Sequence, residues 1–392
     1  MRGTIDVKHP LLLICLAQFC LSMGMSLVEP IMPLYASSFH VSYIMVGLVM
    51  ASFGISRVFV EIPGGILADR FGTKPVMIGG YVLSVASHLL AGFAQTVVEL
   101  MATRMLIGMG SALSFTASMV YVTEMATVDK RSRYIALLQS TFNIAGIIGP
   151  AVGGVISEIF GLRTIFFVSA ALSLIGILFL QAMRVHEKKS SSEEGTDRSG
   201  LGFRDIVTDL RILTLSASCF MMFFLFSSIR GTMIPLYGTE ELGLSAVEIG
   251  LIFSLTSAIT VFGLLFITHR LETRIGRSML LPLSLLICSV AVFLLSFASN
   301  FITLAAFVLP LGIGMSILQP TSFTMISDHA KPAIRGLTLG FSRTIAALGI
   351  ILGSTMAGWL MDIGQQFVGF LLIGGILSLF SSFTYFVFRK LR

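Results

Sequence analysis

The chain has 392 residues, 55% of them hydrophobic and only 12% Asp, Glu, Lys or Arg, with a mean hydropathy of +0.94. A soluble domain carries about 25% charged residues, so a water-soluble fold is excluded and the chain reads as a polytopic membrane protein. The net charge of +6 would suit nucleic acid, but the placement of the charges assigns it to membrane topology instead.

About 20 apolar residues cross a hydrocarbon core of about 30 Å. Twelve stretches qualify in chain order: 10–36, 42–67, 75–95, 98–123, 134–157, 163–184, 211–237, 246–268, 279–298, 301–326, 337–360 and 366–388. No Ala-x-Ala site follows the first run, which therefore reads as a span and not a cleavable leader. Of the 26 Lys and Arg, Arg57, Arg104, Arg230 and Arg343 lie inside helices and Arg163 lies in an outer loop; all the others fall at one face. By the positive-inside rule that face is cytoplasmic and holds both termini. Cys15, Cys20, Cys219 and Cys288 sit inside apolar runs without ligand-like spacing and read as buried small hydrophobes, so neither disulfides nor a metal is expected.

The first helix ends in Glu29-Pro30-Ile31-Met32-Pro33-Leu34-Tyr35. An ionisable group within a span costs roughly 2.5 kcal/mol or more and usually faces a cavity or a partner. Glu29 is either solvated near the outer interface or a carboxylate that takes up and releases a proton. Arg57 and Glu61, spaced i, i+4, pair on one face of the second helix, as a structural pair or as part of the proton relay. Between the second and third spans runs Gly64-Gly65-Ile66-Leu67-Ala68-Asp69-Arg70-Phe71-Gly72-Thr73-Lys74, read as a tight polar loop whose glycines let helix ends approach. Arg104 opens Arg104-Met105-Leu106-Ile107-Gly108-Met109-Gly110 in the fourth helix and requires a carboxylate or water. Glu124 and Arg131 close the fourth helix and open the fifth. The fifth contains Gly146-Ile147-Ile148-Gly149-Pro150-Ala151-Val152-Gly153-Gly154, a small-residue packing seam bent by a proline.

Residues 185–210, with Lys188-Lys189-Ser190-Ser191-Ser192-Glu193-Glu194-Gly195, compose a solvated linker between units 1–184 and 211–392. The units are copies. Pro33-Leu34-Tyr35 returns as Pro235-Leu236-Tyr237, Gly108-Met109-Gly110 as Gly312-Ile313-Gly314, and Gly149 and Gly154 as Gly353 and Gly358. Each unit has an even number of spans, so the two insert in the same sense. Aligning the Pro-Leu-Tyr triplets places Arg230 opposite Val28, and hence Glu29 and Arg230 at equal depth across a central cavity. Gln18, Gln139, Asn143 and Gln319 are candidates to line that cavity. Thirty-two Phe and 21 Met would make it apolar and adaptable. Trp359 and Tyr237 suit the interfacial belt, and His88 reads as a packing residue.

The stretch from Gly65 to Lys74 resembles the loop signature of the major facilitator superfamily, Gly-x-Leu-Ala-Asp-Arg-x-Gly-x-Lys. Arg104-x-x-x-Gly108-x-Gly110 resembles that family's fourth-helix motif, and the Pro30-x-x-Pro33 pair and the run Gly146 to Gly154 resemble the signatures of its twelve-helix drug:proton antiporters. The second unit has Gly353-Ser354 in place of Gly149-Pro150, so only the first keeps the antiporter pattern. The resemblance implies an all-α membrane protein with twelve transmembrane helices in two parallel pseudo-symmetric six-helix bundles. It implies alternating access, with proton-coupled export of amphipathic small molecules such as drugs. Proton coupling would fall to Glu29, Glu61, Arg57 and Arg104, and the substrate cavity to Gln18, Glu29, Asn143, Arg230 and Gln319. Gly65, Asp69, Arg70, Gly72, Glu124 and Arg131 would form a conformational latch. No cofactor beyond the proton gradient is expected, and the expected setting is a monomer in the plasma (inner) membrane. The alternatives are a carrier or exporter of one metabolite, sugar or lipid, and a non-transporting membrane sensor. An embedded enzyme would need a metal cluster, a Ser/His/Asp set or an acyltransferase-like His-Asp arrangement at membrane depth, and Asp328-His329 is expected in a cytoplasmic loop instead.

Overall fold

The computed structural model describes residues 8–127, 130–183, 206–330, 335–364 and 366–390. All regular structure among them is helical, and twelve helices are long and apolar enough to cross a membrane. They are α1 (Lys8–Val28), α2 (Tyr43–Phe71), α3 (Thr73–Phe93), α4 (Val97–Met125), α5 (Arg131–Phe160), α6 (Thr164–Ala182), α7 (Leu210–Glu240), α8 (Ala246–Ile275), α9 (Arg277–Leu295), α10 (Phe301–His329), α11 (Arg335–Asp362) and α12 (Gln366–Lys390). The predicted linker falls outside the described residues as far as 205. At its end, the Asp209 carboxylate accepts the N–H groups of Arg211 (2.8 Å) and Ile212 (3.4 Å) and caps α7.

The first six helices pack chiefly on one another, as do the last six. Two pairs make most of the contact between the bundles, α2 with α11 and α5 with α8, and smaller contacts join Met32–Ser37 to Ile234–Glu240 and α2 to the Phe226–Met233 stretch of α7. We call the face that carries the ends of α6 and α12 the linker face, and the opposite one the far face.

Two predicted boundaries need correction. Residues 64–71 form the last two turns of α2 and no loop, because no helix breaker stands between Gly65 and Phe71. The chain reverses at Gly72 alone (φ +87°), and again 204 residues on at Gly276 (φ +75°), a conformation that side chains disfavour. The first span is also broken: α1 stops at Val28, and a short helix resumes over Met32–Ser37. Pro33 supplies no N–H for the Glu29 carbonyl, and its ring crowds that carbonyl. In α7, Pro235 stands in the same relation to Gly231, and residues Phe226–Met233 there widen into a π-helical stretch.

The tyrosines of the repeated triplet do one job twice. Tyr35 Oη donates to the Ala94 carbonyl (3.3 Å) and to that of Ala91 (3.1 Å), and Tyr237 Oη donates to Ala298, the repeat position of Ala94, at 2.7 Å. Tyr237 is thus also a tie inside its bundle, and Trp359 is half exposed. Lys74 is more than a topological anchor. Its Nζ donates to the Gln181 and Met183 carbonyls (3.2 and 2.7 Å) and closes the C-terminus of α6.

Candidate functional site

The two proline-induced irregularities lie opposite each other and hold the site. Glu29 occupies the break after α1, and Arg230 the π-helical stretch of α7. Arg230 Nη2 lies 3.9 Å from Glu29 Oε2, a loose ion pair between the bundles at the depth the repeat predicted. The same Nη2 donates to Ser257 Oγ of α8 at 3.0 Å. The guanidinium also rests against the rings of Phe226 and Phe253, with centroids 5.2 and 4.9 Å away, where cation–π attraction offsets part of its desolvation. Glu29 Oε1 and Arg230 Nε are buried without a partner.

A second group of charges sits beside it in the first bundle. Arg57 Nη2 donates to Glu61 Oε1 at 2.8 Å, as the i, i+4 spacing predicts. Arg57 and Arg104 share one aromatic support, Phe53, at 5.5 and 5.0 Å from its centroid. Arg104 feels the charge of Glu29, but no ion pair joins them, and its Nε is buried without a partner. Arg104 therefore faces the bundle interior, as its cost in hydrocarbon demands. Deeper in the same bundle, His88 is buried with Nδ1 unpartnered.

A recess of about 220 Å³ opens in the wall of the second bundle. Its polar lining is Arg230, Gln319, Thr256 and Thr260, and its apolar lining includes Phe223, Phe226, Met222 and Met315. Gln319 is where the sequence places it. Gln18 is not: it is buried between α1 and α4, with its amide reaching Ser22 Oγ and accepting from Ser118 Oγ, both at 3.4 Å. Its predicted cavity role is corrected to a packing one. Asn143 is half-buried on α5.

The glycine run of α5 serves two neighbours. A Cβ at Gly149 or Gly153 would run into Ser26 and Leu27 of α1, and one at Gly154 into the Ala246 backbone of α8. Gly146 lies near Ser257. At Pro150 the helix gives up a bond, and the next N–H, of Ala151, donates across to Ser254 Oγ of α8 (3.0 Å). The run is a packing seam on both its sides.

The predicted latch residues all belong to the first bundle. Arg70 is exposed at the linker face over its neighbour Phe71 (5.4 Å), and Glu124 and Arg131 are exposed too. The side chain of Asp69 lies outside the described residues. Gly65 has open space around its Cβ position. The far face, by contrast, is tied shut by residues that the sequence reading missed. Asp362 at the end of α11 accepts the N–H groups of Tyr43 (2.7 Å) and Ile44 (2.8 Å), and Glu158 at the end of α5 accepts that of Val247 (3.1 Å). Each carboxylate sits at the C-terminus of its own helix, against that helix's dipole, and is held there by the N–H groups of the other bundle. Toward the linker face, Arg343 of α11 lies over the Phe115 ring of α4 at 5.8 Å.

The Major Facilitator Superfamily sequence profile matches residues 14–271 and 231–392. Multidrug resistance protein 2 of Bacillus subtilis (strain 168) is 24% identical over 387 residues, 96% of each chain. Quinolone resistance protein NorA of Staphylococcus aureus (strain COL) is 23% identical over 368 residues, 91% of each. Among solved structures, the nucleoside transporter NupG superposes with a TM-score of 0.78 at 17% identity, covering 98% of this chain and 99% of its own. A bacterial homologue of the human lysosomal transporter Spinster gives 0.81 at 14%, covering 99% of both. These likenesses establish the same twelve-helix fold.

Proposed function

Because the chain belongs to the Major Facilitator Superfamily, we propose that it is a secondary active transporter that exports amphipathic small molecules in exchange for protons. Two curated relatives that run nearly its full length are named for multidrug and quinolone resistance, which supports this choice within the family. The observation that carries the mechanism is the Glu29–Arg230 pair, an ion pair between the moving halves with buried polar atoms left over on both partners.

With the linker face cytoplasmic, as the Lys and Arg bias favours, the state described is closed to the outside by Asp362 and Glu158. Ionised Glu29 holds Arg230 across the midline in that state. Cargo binds this state with Glu29 ionised, and the loaded bundles rock outward about the site: the far-face caps break, and the exposed charges around Arg70, Glu124 and Arg131 close on the second bundle as the latch. On the far side Glu29 takes up a proton, which loosens the bridge and frees the cargo, and the empty protonated protein returns to release that proton to the cytoplasm. Arg57 pairs with Glu61, which is available to share the proton, and Arg104 completes the proton-coupling set. The protein works in the plasma membrane as a monomer.

The test is transport in inverted vesicles. The wild-type protein accumulates a lipophilic substrate when a proton gradient is imposed. Glu29→Gln removes the response to the gradient while substrate counterflow persists. If Glu29→Gln still drives uptake from the gradient, the assignment fails.

A further inference from the structure

The chemistry around Arg230 selects the charge of the cargo. Away from helix ends, the described spans carry Arg57, Arg104, Arg230 and Arg343 against Glu29 and Glu61. Both carboxylates are engaged, Glu61 with Arg57 at 2.8 Å and Glu29 with Arg230 at 3.9 Å. Arg104 and Arg343 rest on phenylalanine faces instead. A cation entering here sheds water and meets an excess of its own charge.

The recess carries the same bias. No acidic residue is among the described residues that line it. The Thr256 and Thr260 hydroxyls already donate to the Ile252 and Thr256 carbonyls (2.7 and 2.8 Å). Arg230 Nη2 is shared between Ser257 and Glu29, but Nε is a buried donor with no acceptor in the protein. An unsatisfied buried donor next to an apolar recess is completed by a ligand that brings an acceptor.

We propose that the transported molecule presents a hydrogen-bond acceptor, neutral or anionic (a carbonyl, carboxylate or sulfonate), on an apolar body, and that Arg230 is the residue that reads it. The word cargo rests on the transport reading above; the binding preference does not depend on proton coupling. The two fit together. Ionised Glu29 keeps Arg230 beside the recess, and a proton on Glu29 frees the guanidinium, so proton and cargo favour opposite placements of one side chain.

Three ligands on one bicyclic body separate the outcomes: 2-naphthoate, 2-acetylnaphthalene and (2-naphthylmethyl)trimethylammonium. Calorimetric titration of the purified full-length protein gives dissociation constants for each. The two acceptor ligands bind about tenfold or more tighter than the ammonium, the scale of one charge-assisted hydrogen bond. Arg230→Gln removes that preference and Arg230→Lys keeps part of it, with thermal melting to confirm that both are folded. The charge-neutral double variant Glu29→Gln/Arg230→Gln repeats the loss in a background free of a stranded carboxylate. The proposal is overturned if the ammonium binds as tightly as the others, if folded Arg230→Gln keeps the wild-type order, or if none of the three binds. Naphthoate that binds through Arg230 but never follows a proton gradient sinks the exchange reading alone. An ammonium that does follow the gradient sinks this inference alone.

Discussion

Asp362, the last residue of α11, places its carboxylate on the first two N–H groups of α2 in the opposite bundle, at Tyr43 and Ile44. Glu158 does the same for Val247 at the start of α8. The two contacts are repeat mates, since 158 and 362 are separated by the same 204 residues as 43 and 247. Each puts a negative charge where a helix dipole is positive and free donors await a partner. Both lie across the closed far face and join the two bundles there.

Removing them therefore shifts the conformational balance. Each cap is worth about 1 kcal/mol, so Asp362→Ala with Glu158→Ala raises the far-face-open population by about tenfold or more, at about 1.4 kcal/mol per decade. Spin labels on cysteines at Thr96 and Ser299, in far-face loops of the two bundles, read this as growth of the longer distance in pulsed EPR.

Breaking the Glu29–Arg230 pair one side at a time costs more than removing it whole. A lone buried charge is strongly destabilising, by about 3 kcal/mol or more in well-buried cases, whereas a neutral pair is tolerated. The pair here is loose and partly solvated, so the penalty is smaller but keeps its sign. Arg230→Gln melts below the wild type, and adding Glu29→Gln restores part of the loss. A double variant that melts lower than either single one would refute the pairing.

The glycines of the two motifs respond differently. Gly153→Ala drives a Cβ into the Leu27 backbone, and overpacking of this kind costs typically about 1–3 kcal/mol; the melting temperature and the folded yield both fall. The Cβ of Gly65→Leu meets nothing within 4 Å in this state, and exchanging glycine for a good helix former stabilises a helix by up to about 1 kcal/mol. That variant melts at or above the wild type yet transports slowly if the proposed latch brings the second bundle against Gly65. Normal transport by Gly65→Leu would remove Gly65 from the latch.

Gln18→Leu distinguishes packing from cargo contact. The side chain bonds Ser22 and Ser118 inside the first bundle, so the substitution costs stability, about 1 kcal/mol for the lost hydrogen bonds. The KM for transported substrate stays at the wild-type value.

Much of the site was legible because the chain says the same thing twice. The Pro-Leu-Tyr triplets placed Arg230 beside Glu29 from the sequence, since two repeats of like orientation put equivalent residues at equal depth. The i, i+4 spacing of Arg57 and Glu61 gave their pair directly. Gln18 was misplaced because hydropathy marks a polar residue in a span without saying which side of its helix faces the cavity. The far-face caps were missed because they join a side chain to a backbone N–H in the other bundle, and no side-chain pattern announces such a bond.

The sequence by itself determined the number of spans, the repeat and the family, because these follow from hydrophobic length and local motifs, and the placement of Lys and Arg supplied the expectation of orientation. Only the tertiary structure decided where the helices break and widen, which backbone N–H groups the far-face carboxylates hold, and which face is closed. Those depend on how two rigid bundles are set against each other, and a chain with a nearly identical pattern of apolar runs has more than one way to set them.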